Sequence, residues 1–448
     1  MTDRPSFADE EAVLRRARSL VGKTLRELYG AVPEVSGKGG FGTLLESLHF
    51  GLAPSTESAP DFGEAGLELK ATGLVRERDG WKAKERLVLN VINYERLVEE
   101  EEFTTSSFYR KNRRILLVLY EHQSDTKPAD LRVLAVGVVD LERLDPAFAL
   151  MVEQDWRAIR DAVRAGRAHL LSESDTFLLA ACPKGSKAGK ELRKQPNGPP
   201  AQQRAFSFKP AFVSVLARAV LDQQAAAREH IVEDPSELVR RRFEEVVLGR
   251  LNAYSGMTVE EIRRLVDPDM TLSGKARFAD LTRRMLGVRS RRIVEFDAAG
   301  IEVRTVRVEG SGRVRESASF PAFRMRELVR QSWRDSDLRN QLTRRLLFVF
   351  LVGPKDAPRF SHAAFWSLTE EDLEEARRVW VETVRRIRQG RVRGLPKKSF
   401  SSLVHVRPHG RNSLDVDEAP DGQKVTKQCF WLDSSYLAKV YAATKPVP

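Results

Sequence analysis

The chain has 448 residues, of which 42% are hydrophobic and 31% are charged, a composition typical of a soluble protein with two or three domains. Lysine and arginine number 75 against 63 acidic residues, and the resulting net charge of +12 favours a polyanionic partner such as nucleic acid. Only two cysteines, Cys182 and Cys429, are present, which excludes a disulfide framework and a four-cysteine zinc site. No apolar run approaches the roughly 20 residues that a membrane span needs, so we expect a cytoplasmic protein without a membrane partner.

In chain order, the first segment that suggests chemistry is GKGGFGTLLESLHFG, residues 37–51. Its leucines predict the buried side of a short helix, which leaves Glu46 free to face a site. Ahead of this helix, Lys38, Gly39 and Gly40 form a loop that could approach a phosphate closely.

The next segment, PDFGEAGLELKATG, places Asp61 ahead of a strand that carries Glu68 and Lys70. Because strand side chains alternate between faces, Glu68 and Lys70 share one face while the flanking leucines point into a core. Asp61 is expected at the near end of a hairpin or bend whose turn contains Gly63 and Gly66. Carboxylate oxygens suit a hard cation such as Mg²⁺, and Lys70 could orient a water or stabilise a charged transition state. A solvated strand edge is the alternative interpretation of this spacing.

The two halves of the chain resemble each other. GKTLREL in the first half resembles GMTVEEI in the second, and EAGLELKATGL resembles AAGIEVRTVRV. Both pairs are separated by the same number of residues, and Glu68 corresponds to Glu302. Each half continues with an apolar strand, a helix that contains Trp156 or Trp380, a strand that runs into a proline-basic step, and a closing aromatic segment. We therefore predict an α/β fold of two tandem domains, residues 1–228 and 229–448, each a mixed central sheet flanked by helices. Both tryptophans are expected in the cores.

KGGFGTLLE, the acidic strand and the later Pro-Lys step together resemble the MutH family, which includes a mismatch-repair nicking enzyme and GATC-cutting restriction endonucleases of the Sau-three-A type. The resemblance spans both halves and implies a restriction-endonuclease-like fold in each. It also implies that Glu46, Asp61, Glu68 and Lys70 are catalytic, with the three acids as metal ligands. Mg²⁺ is the implied cofactor, with Mn²⁺ as an alternative.

The resemblance further implies a DNA-reading loop at a basic-Pro-basic step. In the first half, Cys182 stands where the family has arginine, so base contacts are expected from other residues of this loop. In the second half, the step reads Arg407-Pro408-His409. The expected DNA-binding residues of both halves are Lys38, Gly39, Lys111, Lys184, Ser186, Lys187, Lys190, Arg407, His409, Arg411 and Asn412. The lysine-rich loop could instead contact phosphates only.

The second half is expected to bind DNA without cutting it. Glu295, Glu302 and Arg304 stand where the first half has Asp61, Glu68 and Lys70, and Arg283 or Arg284 stands in place of Glu46. An arginine in the metal position would repel a cation, and it cannot replace an amine in proton handling. The basic helix around Arg385, Arg386 and Arg388 is a further candidate DNA contact, although a scaffold role for this half stays open.

The sequence thus predicts a Mg²⁺-dependent type II restriction endonuclease acting on double-stranded DNA at a short site, with GATC implied by the resemblance. One active centre per chain predicts a monomer that dimerises transiently on DNA. The alternatives are a MutH-like nicking enzyme, a modification-dependent endonuclease and a non-catalytic DNA sensor.

Overall fold

The computed structural model describes residues 9–35, 39–53, 59–77, 80–123, 125–184, 192–222, 229–274, 276–354, 356–412 and 414–446. The chain divides into two compact units. The first contains Met1–Arg242 and Arg292–Gly300, and the second contains Phe243–Arg291 and Ile301–Pro448. The division of roles between residues 1–228 and 229–448 stays a prediction.

The first unit is built around two sheets. Its strands are β1 (Glu68–Glu77), β2 (Gly80–Ala83), β3 (Leu87–Val91), β4 (Arg114–Glu121), β5 (Val133–Asp140), β6 (Leu179–Pro183), β7 (Leu192–Arg193), β8 (Ala201–Gln202) and β9 (Arg204–Phe208). Its helices up to residue 242 are α1 (Glu10–Arg18), α2 (Leu25–Tyr29), α3 (Gly40–Leu44), α4 (Tyr94–Leu97), α5 (Ser107–Asn112), α6 (Pro146–Arg164), α7 (Pro210–Val220) and α8 (Ser236–Arg240). The strand orders are β2-β1-β4-β5 and β3-β9-β6, with a β7–β8 ribbon.

The central pair of the first unit is the parallel pair β1 and β4, in which Glu68 lies opposite Ile115. Strand β4 is apolar because it is covered on both faces, as is typical of a central strand with parallel pairing. Strands β2 and β5 pair antiparallel at the two edges. The site-bearing start of β1 is thereby fixed to a fully buried neighbour.

The second unit carries strands β10 (Glu302–Val308), β11 (Ala318–Phe323), β12 (Leu346–Val352), β13 (Arg359–Trp366), β14 (Val404–Pro408), β15 (Val416–Glu418), β16 (Lys424–Thr426) and β17 (Gln428–Leu432). Helices α9 (Phe243–Asn252), α10 (Val259–Val266) and α11 (Arg277–Met285) belong to it, whereas α12 (Val294–Ala299) belongs to the first unit. The remaining helices of the second unit are α13 (Met325–Leu328), α14 (Asp337–Leu342), α15 (Glu370–Arg388) and α16 (Ser434–Thr444).

The second unit repeats the pairing pattern of the first. Its strand orders are β10-β12-β13 and β11-β17-β14, with a β15–β16 ribbon. Strands β10 and β12 are parallel and place Glu302 opposite Leu346, as β1 and β4 place Glu68 opposite Ile115. The predicted tandem α/β architecture, with a mixed sheet in each copy, is therefore confirmed.

The long helices α6 and α15 occupy matching places in the two copies. Trp156 on α6 and Trp380 on α15 are both buried, as predicted for core residues. In the described residues, no helix combines the length and the apolar character that crossing a membrane would require.

Candidate active site

A tight hairpin at the start of β1 brings Asp61 next to Glu68. Phe62 and Leu67 pair as an antiparallel bridge, and the turn between them closes at Gly66, whose φ of 64° favours glycine. The backbone N–H of Asp61 donates to Glu68 Oε2 at 3.1 Å, and the N–H of Leu69 donates to Asp61 Oδ2 at 2.9 Å. These two bonds hold the carboxylates of Asp61 and Glu68 side by side.

Two lysines from different elements reach the Glu68 carboxylate. Lys70 Nζ donates to Glu68 Oε1 at 2.5 Å and to the carbonyl of Leu69 at 3.1 Å. Lys111 Nζ, from the end of α5, lies 3.8 Å from the same Glu68 oxygen. The sequence placed Lys111 among the DNA contacts and missed its position beside the acids. The available signal was that α5 ends just before β4, the strand that pairs with the start of β1.

Glu46 comes from a π-helical turn, Leu45–Phe50, that continues α3. The expected short helix is present and contacts β1, and Leu44 and Leu45 are buried in the same core cluster as Leu69 of β1. The Glu46 carboxylate has no hydrogen-bond partner among the residues that the structure describes. A π-helical turn widens the backbone spacing of a helix and is frequent at functional sites.

Charge and burial set the electrostatics of the three acids. Burial raises the pKa of Glu46, the charge of Asp61 raises it further, and Lys70 opposes both effects. Burial also raises the pKa of Glu68, which is only 1% exposed, and Lys70, Lys111 and a hydrogen bond from Lys70 act against this increase. The charge of Asp61 disfavours the charged forms of both Glu46 and Glu68, and a bound cation would offset this repulsion.

The residues present fit a divalent cation in chemistry. Asp61, Glu68 and Glu46 supply only oxygen ligands, as Mg²⁺ prefers. Within the described parts of the chain, however, no three His, Cys, Asp or Glu side chains already converge as a complete metal cage.

The corresponding place in the second unit is built differently, because the helix α12 rather than a hairpin comes directly before β10. Arg304 pairs with Glu302 at 2.9 Å, as Lys70 pairs with Glu68, and its guanidinium lies over the Phe320 ring at 5.2 Å. Helices α5 and α14 begin at equivalent N-cap serines, Ser106 and Ser336. Counted from these caps, Gln341 of α14 occupies the position that Lys111 has in α5. Among the described residues, the start of β10 therefore carries an acid paired with an arginine, and it lacks the second lysine.

The expected correspondence of Glu295 with Asp61 is wrong. Glu295 lies on α12 in the first unit and is fully buried. Its carboxylate accepts hydrogen bonds from the backbone N–H groups of Ile231 and Val232, both at 3.0 Å. The sequence register was misleading because a helix, rather than a hairpin, precedes β10, so this acid serves to anchor backbone.

Arg283 and Arg284 on α11 are held by acids of their own unit. Arg283 pairs with Asp280, and Arg284 pairs with Asp267 at 2.7 Å. Burial first, and then the charges of Arg284 and Arg291, lower the pKa of Arg283. This helix thus carries cations where the first unit carries Glu46.

The DNA-reading candidates of the first unit are only partly described. Lys38, Ser186, Lys187 and Lys190 lie outside the described residues, and Gly39 caps α3 at an exposed position. Lys184 is exposed at the end of β6, and its backbone N–H donates to the Gln203 carbonyl at 2.7 Å. Cys182, which replaces the family's arginine, is buried, so its side chain is not available to DNA.

The candidates of the second unit lie at the end of β14. Arg407 and His409 are exposed and both contact the Trp431 ring, with centroid distances of 4.5 Å and 5.4 Å. Arg411 is exposed, whereas Asn412 Oδ1 accepts from the N–H groups of Leu414 and Asp415. Asn412 therefore shapes the loop in addition to its predicted role.

The arginines near the end of the basic helix α15 already have partners within the second unit. Arg385 and Arg386 both pair with Glu382 and lower its pKa to about 2, while Arg388 donates to the Val329 carbonyl. The expected DNA contact along this helix is thus weakened, because these cations are already neutralised or engaged.

A mixed sheet in two tandem copies, the first of which carries two acids and a lysine at its parallel-paired strand, defines a nuclease of the restriction-endonuclease class. The family model of the DNA mismatch repair enzyme MutH matches residues 50–148. The type II restriction enzyme Sau3AI of Staphylococcus aureus is 32% identical over 97% of this chain and 98% of its own length. The mismatch repair proteins MutH of Shigella flexneri serotype 5b and Escherichia coli O127:H6 are 26% and 25% identical, each over 39% of this chain and 80% of their own length.

The chain therefore belongs to the family of the type II restriction enzyme Sau3AI, and it is a site-specific deoxyribonuclease. Restriction and mismatch-repair nucleases act on double-stranded DNA, and enzymes of this kind generally use a divalent metal. Both predictions, of family and of enzyme class, are confirmed.

Proposed function

We propose that this protein cuts double-stranded DNA at a short site, GATC, in a Mg²⁺-dependent reaction for which Mn²⁺ can substitute. The observation that carries the proposal is the cluster of Asp61, Glu68 and Lys70 at the start of β1, with Glu46 facing it from the turn after α3. The GATC site follows from the resemblance to GATC-cutting enzymes. A role on DNA within the cell places the protein in the cytoplasm.

Each residue of the cluster has a separate task in this proposal. Asp61 and Glu68, with Glu46, would hold Mg²⁺, which neutralises charge on a scissile phosphate when it is bound. The backbone donors of Asp61 and Leu69 fix the directions of the two carboxylates. Lys70 presents its ammonium beside Glu68, where it can orient an attacking water and stabilise the charge that develops on the phosphate. Lys111 adds a second positive charge from α5.

The second unit acts as a DNA-binding copy that does not cut. Arg304 and Glu302 neutralise each other there, and the arginine cannot exchange a proton near neutral pH. Exposed Arg407, His409 and Arg411 remain available for contacts with DNA. Binding of a second DNA site to this unit would promote cleavage by the first unit.

Among the described residues, the acid-lysine cluster occurs once per chain, in the first unit, which favours a monomer in solution that pairs with a second chain on DNA. The same observation supports a second candidate, a nicking activity of the MutH kind, because one cluster cuts one strand at a time. The two differ in the lifetime of the nicked intermediate, which is short for a restriction enzyme and long for a nicking enzyme.

The test uses wild-type protein and Glu68→Gln with methylated and unmethylated supercoiled plasmid, in Mg²⁺ or EDTA. Glu302→Gln provides the matched control from the second unit. We expect linear fragments with GATC ends from wild type and Glu302→Gln, and no cutting by Glu68→Gln or in EDTA. Cutting by Glu68→Gln would contradict the catalytic assignment, and nicked circles as the final product would favour the nicking enzyme. Ends at another sequence would refute GATC, and cutting confined to methylated plasmid would favour a modification-dependent enzyme.

A further inference from the structure

The second unit contains a cavity of about 590 Å³ beside β14 and the β15–β16 ribbon. Arg393, Lys397 and Lys424 contribute its charged side chains, and its lining contains no carboxylate among the residues that the structure describes. The cavity lies on the Val406 and Pro408 face of β14, whereas Arg407 stacks on Trp431. It is therefore distinct from the exposed cluster of Arg407 and His409.

The three cations of the cavity differ from most basic side chains around them. None of Arg393, Lys397 and Lys424 forms an ion pair within the part of the chain that the structure describes. Arg377, Arg378, Arg385 and Arg386 on α15, in contrast, are each paired with a glutamate. These three cations therefore give the cavity positive charge that no acid among the described residues neutralises.

Acidic residues close to the cavity are directed elsewhere. Glu418 lies opposite Lys424 in the register of the ribbon, but its carboxylate pairs with Arg326. Its neighbour Asp417 accepts a hydrogen bond from the backbone N–H of Met325 at 2.7 Å. Lys424 thus remains free to meet an external anion.

The cavity also has apolar surface. Val392, Val406 and Val416 line it, and Val416 is 39% exposed. Leu414, two residues earlier on the same loop, is 85% exposed. The loop is held in shape because Asn412 accepts from two of its N–H groups and Asp415 pairs with Lys427. Cations beside an ordered apolar surface suit a nucleotide, whose phosphate is charged and whose sugar and base present apolar faces.

We propose that this cavity binds the backbone of the DNA held by the second unit, with phosphodiester groups on Arg393, Lys397 and Lys424 and the sugar or base against the valines. The inference rests on the proposed DNA-binding role of the second unit and assigns to it a contact surface beyond Arg407 and His409. Because phosphate contacts carry no sequence information, this surface would hold DNA of any sequence.

The test is the salt dependence of duplex DNA binding by the full chain in EDTA, which prevents cleavage. The variant Arg393→Gln/Lys397→Gln/Lys424→Gln is compared with a control that loses the same charge elsewhere in the second unit, Arg264→Gln/Arg377→Gln/Lys439→Gln. We expect the cavity variant to reduce the slope of log K against log salt concentration by about 2 to 3, since each neutralised phosphate contributes about 0.9. The control should change the slope by less than 1 unit, roughly one phosphate contact.

Arg407→Ala separates the two levels of the proposal. If the cavity variant behaves like the control while Arg407→Ala weakens binding, the cavity is not a DNA contact but the second unit still binds DNA. If neither Arg407→Ala nor the cavity variant changes binding, both the cavity proposal and the DNA-binding role of the second unit are overturned. Equal loss of affinity on a duplex without GATC would support contact with the backbone.

Discussion

The two lysines beside Glu68 differ in their distance from its carboxylate, 2.5 Å for Lys70 and 3.8 Å for Lys111. We expect Lys70→Met to reduce the single-turnover cleavage rate by about 10²-fold or more, because a preorganised charge at the reacting phosphate is lost. Lys111→Met should reduce it less. Lys82→Met, which removes an exposed lysine from the neighbouring strand β2, is the control and should cut at the wild-type rate. A normal rate for Lys70→Met would remove Lys70 from the catalytic assignment.

His49 sets a pH limit on the stability of the first unit. It is buried, its Nε2 lies 2.9 Å from the Arg16 carbonyl, and its Nδ1 lies 2.8 Å from the Tyr29 hydroxyl. The neutral ring satisfies both contacts by donating from Nε2 and accepting at Nδ1. Burial lowers the pKa of His49 to about 4 from the usual 6.5.

Because the unfolded chain binds a proton that the folded chain resists, stability should fall as pH decreases from about 6.5 to about 4. The loss attributable to His49 should be up to about 3 kcal/mol, at about 1.4 kcal/mol per pKa unit. Urea unfolding at a series of pH values measures it, and His49→Gln should show a flatter dependence than wild type. His409→Gln, at an exposed site, should leave the slope unchanged. Equal slopes in wild type and His49→Gln would contradict the prediction.

At the scale of the element, α3 is positioned by close contact with Pro128. A Cβ on Gly40 would lie 2.9 Å from Pro128 Cγ and 3.4 Å from the Val35 carbonyl oxygen, whereas a Cβ on Gly42 would meet nothing within 4 Å. Close packing against Pro128 therefore explains the glycine at position 40 independently of phosphate binding. The helix that carries this glycine leads directly into the turn of Glu46.

Gly40→Ala and Gly42→Ala form a matched pair of variants on this helix. We expect Gly40→Ala to lower the free energy of unfolding by about 1–3 kcal/mol through overpacking and to reduce cleavage by displacing Glu46. Gly42→Ala should instead raise the free energy of unfolding by up to about 1 kcal/mol, because alanine favours helix. Chemical denaturation and plasmid cleavage measure both effects. Equal behaviour of the two variants would show that contact with Pro128 does not position α3.

For the whole molecule, two units of the same topology differ in what they place at the start of the parallel-paired strand. If all cutting depends on the first unit, the double variant Glu302→Gln/Arg304→Lys should leave cleavage by the otherwise wild-type protein unchanged. In the Glu68→Gln background, the same double variant should not restore cleavage. We expect no activity from a lysine at residue 304, because a helix precedes β10 where the first unit has the hairpin that carries Asp61. Single-turnover cleavage of plasmid tests both backgrounds, and rescue of Glu68→Gln would reveal a second centre.

The tandem fold and the core of the active site were predictable because they depend on local rules. Alternation along β1 predicted that Glu68 and Lys70 share a face, and the glycines before β1 predicted the hairpin that brings Asp61 to them. The prediction for Glu295 was wrong because its position depends on packing between distant segments. Glu295 was misplaced since its partners, Ile231 and Val232, lie far away in the chain.

The sequence by itself determined the family, the order of α/β elements and which acidic and basic residues gather at the candidate site, since strand periodicity, turn residues and acid spacing are encoded within short segments. Only the tertiary structure decided which charges remain available for DNA. Glutamates neutralise the arginines of α15 three or four residues away, whereas Arg393 and Lys397 meet Lys424 from a separate segment and none of them forms an ion pair among the described residues. Lys111 likewise joins Glu68 only through the parallel pairing of β1 with β4. Charge pairing acts through space, so a count of basic residues along the chain cannot reveal it.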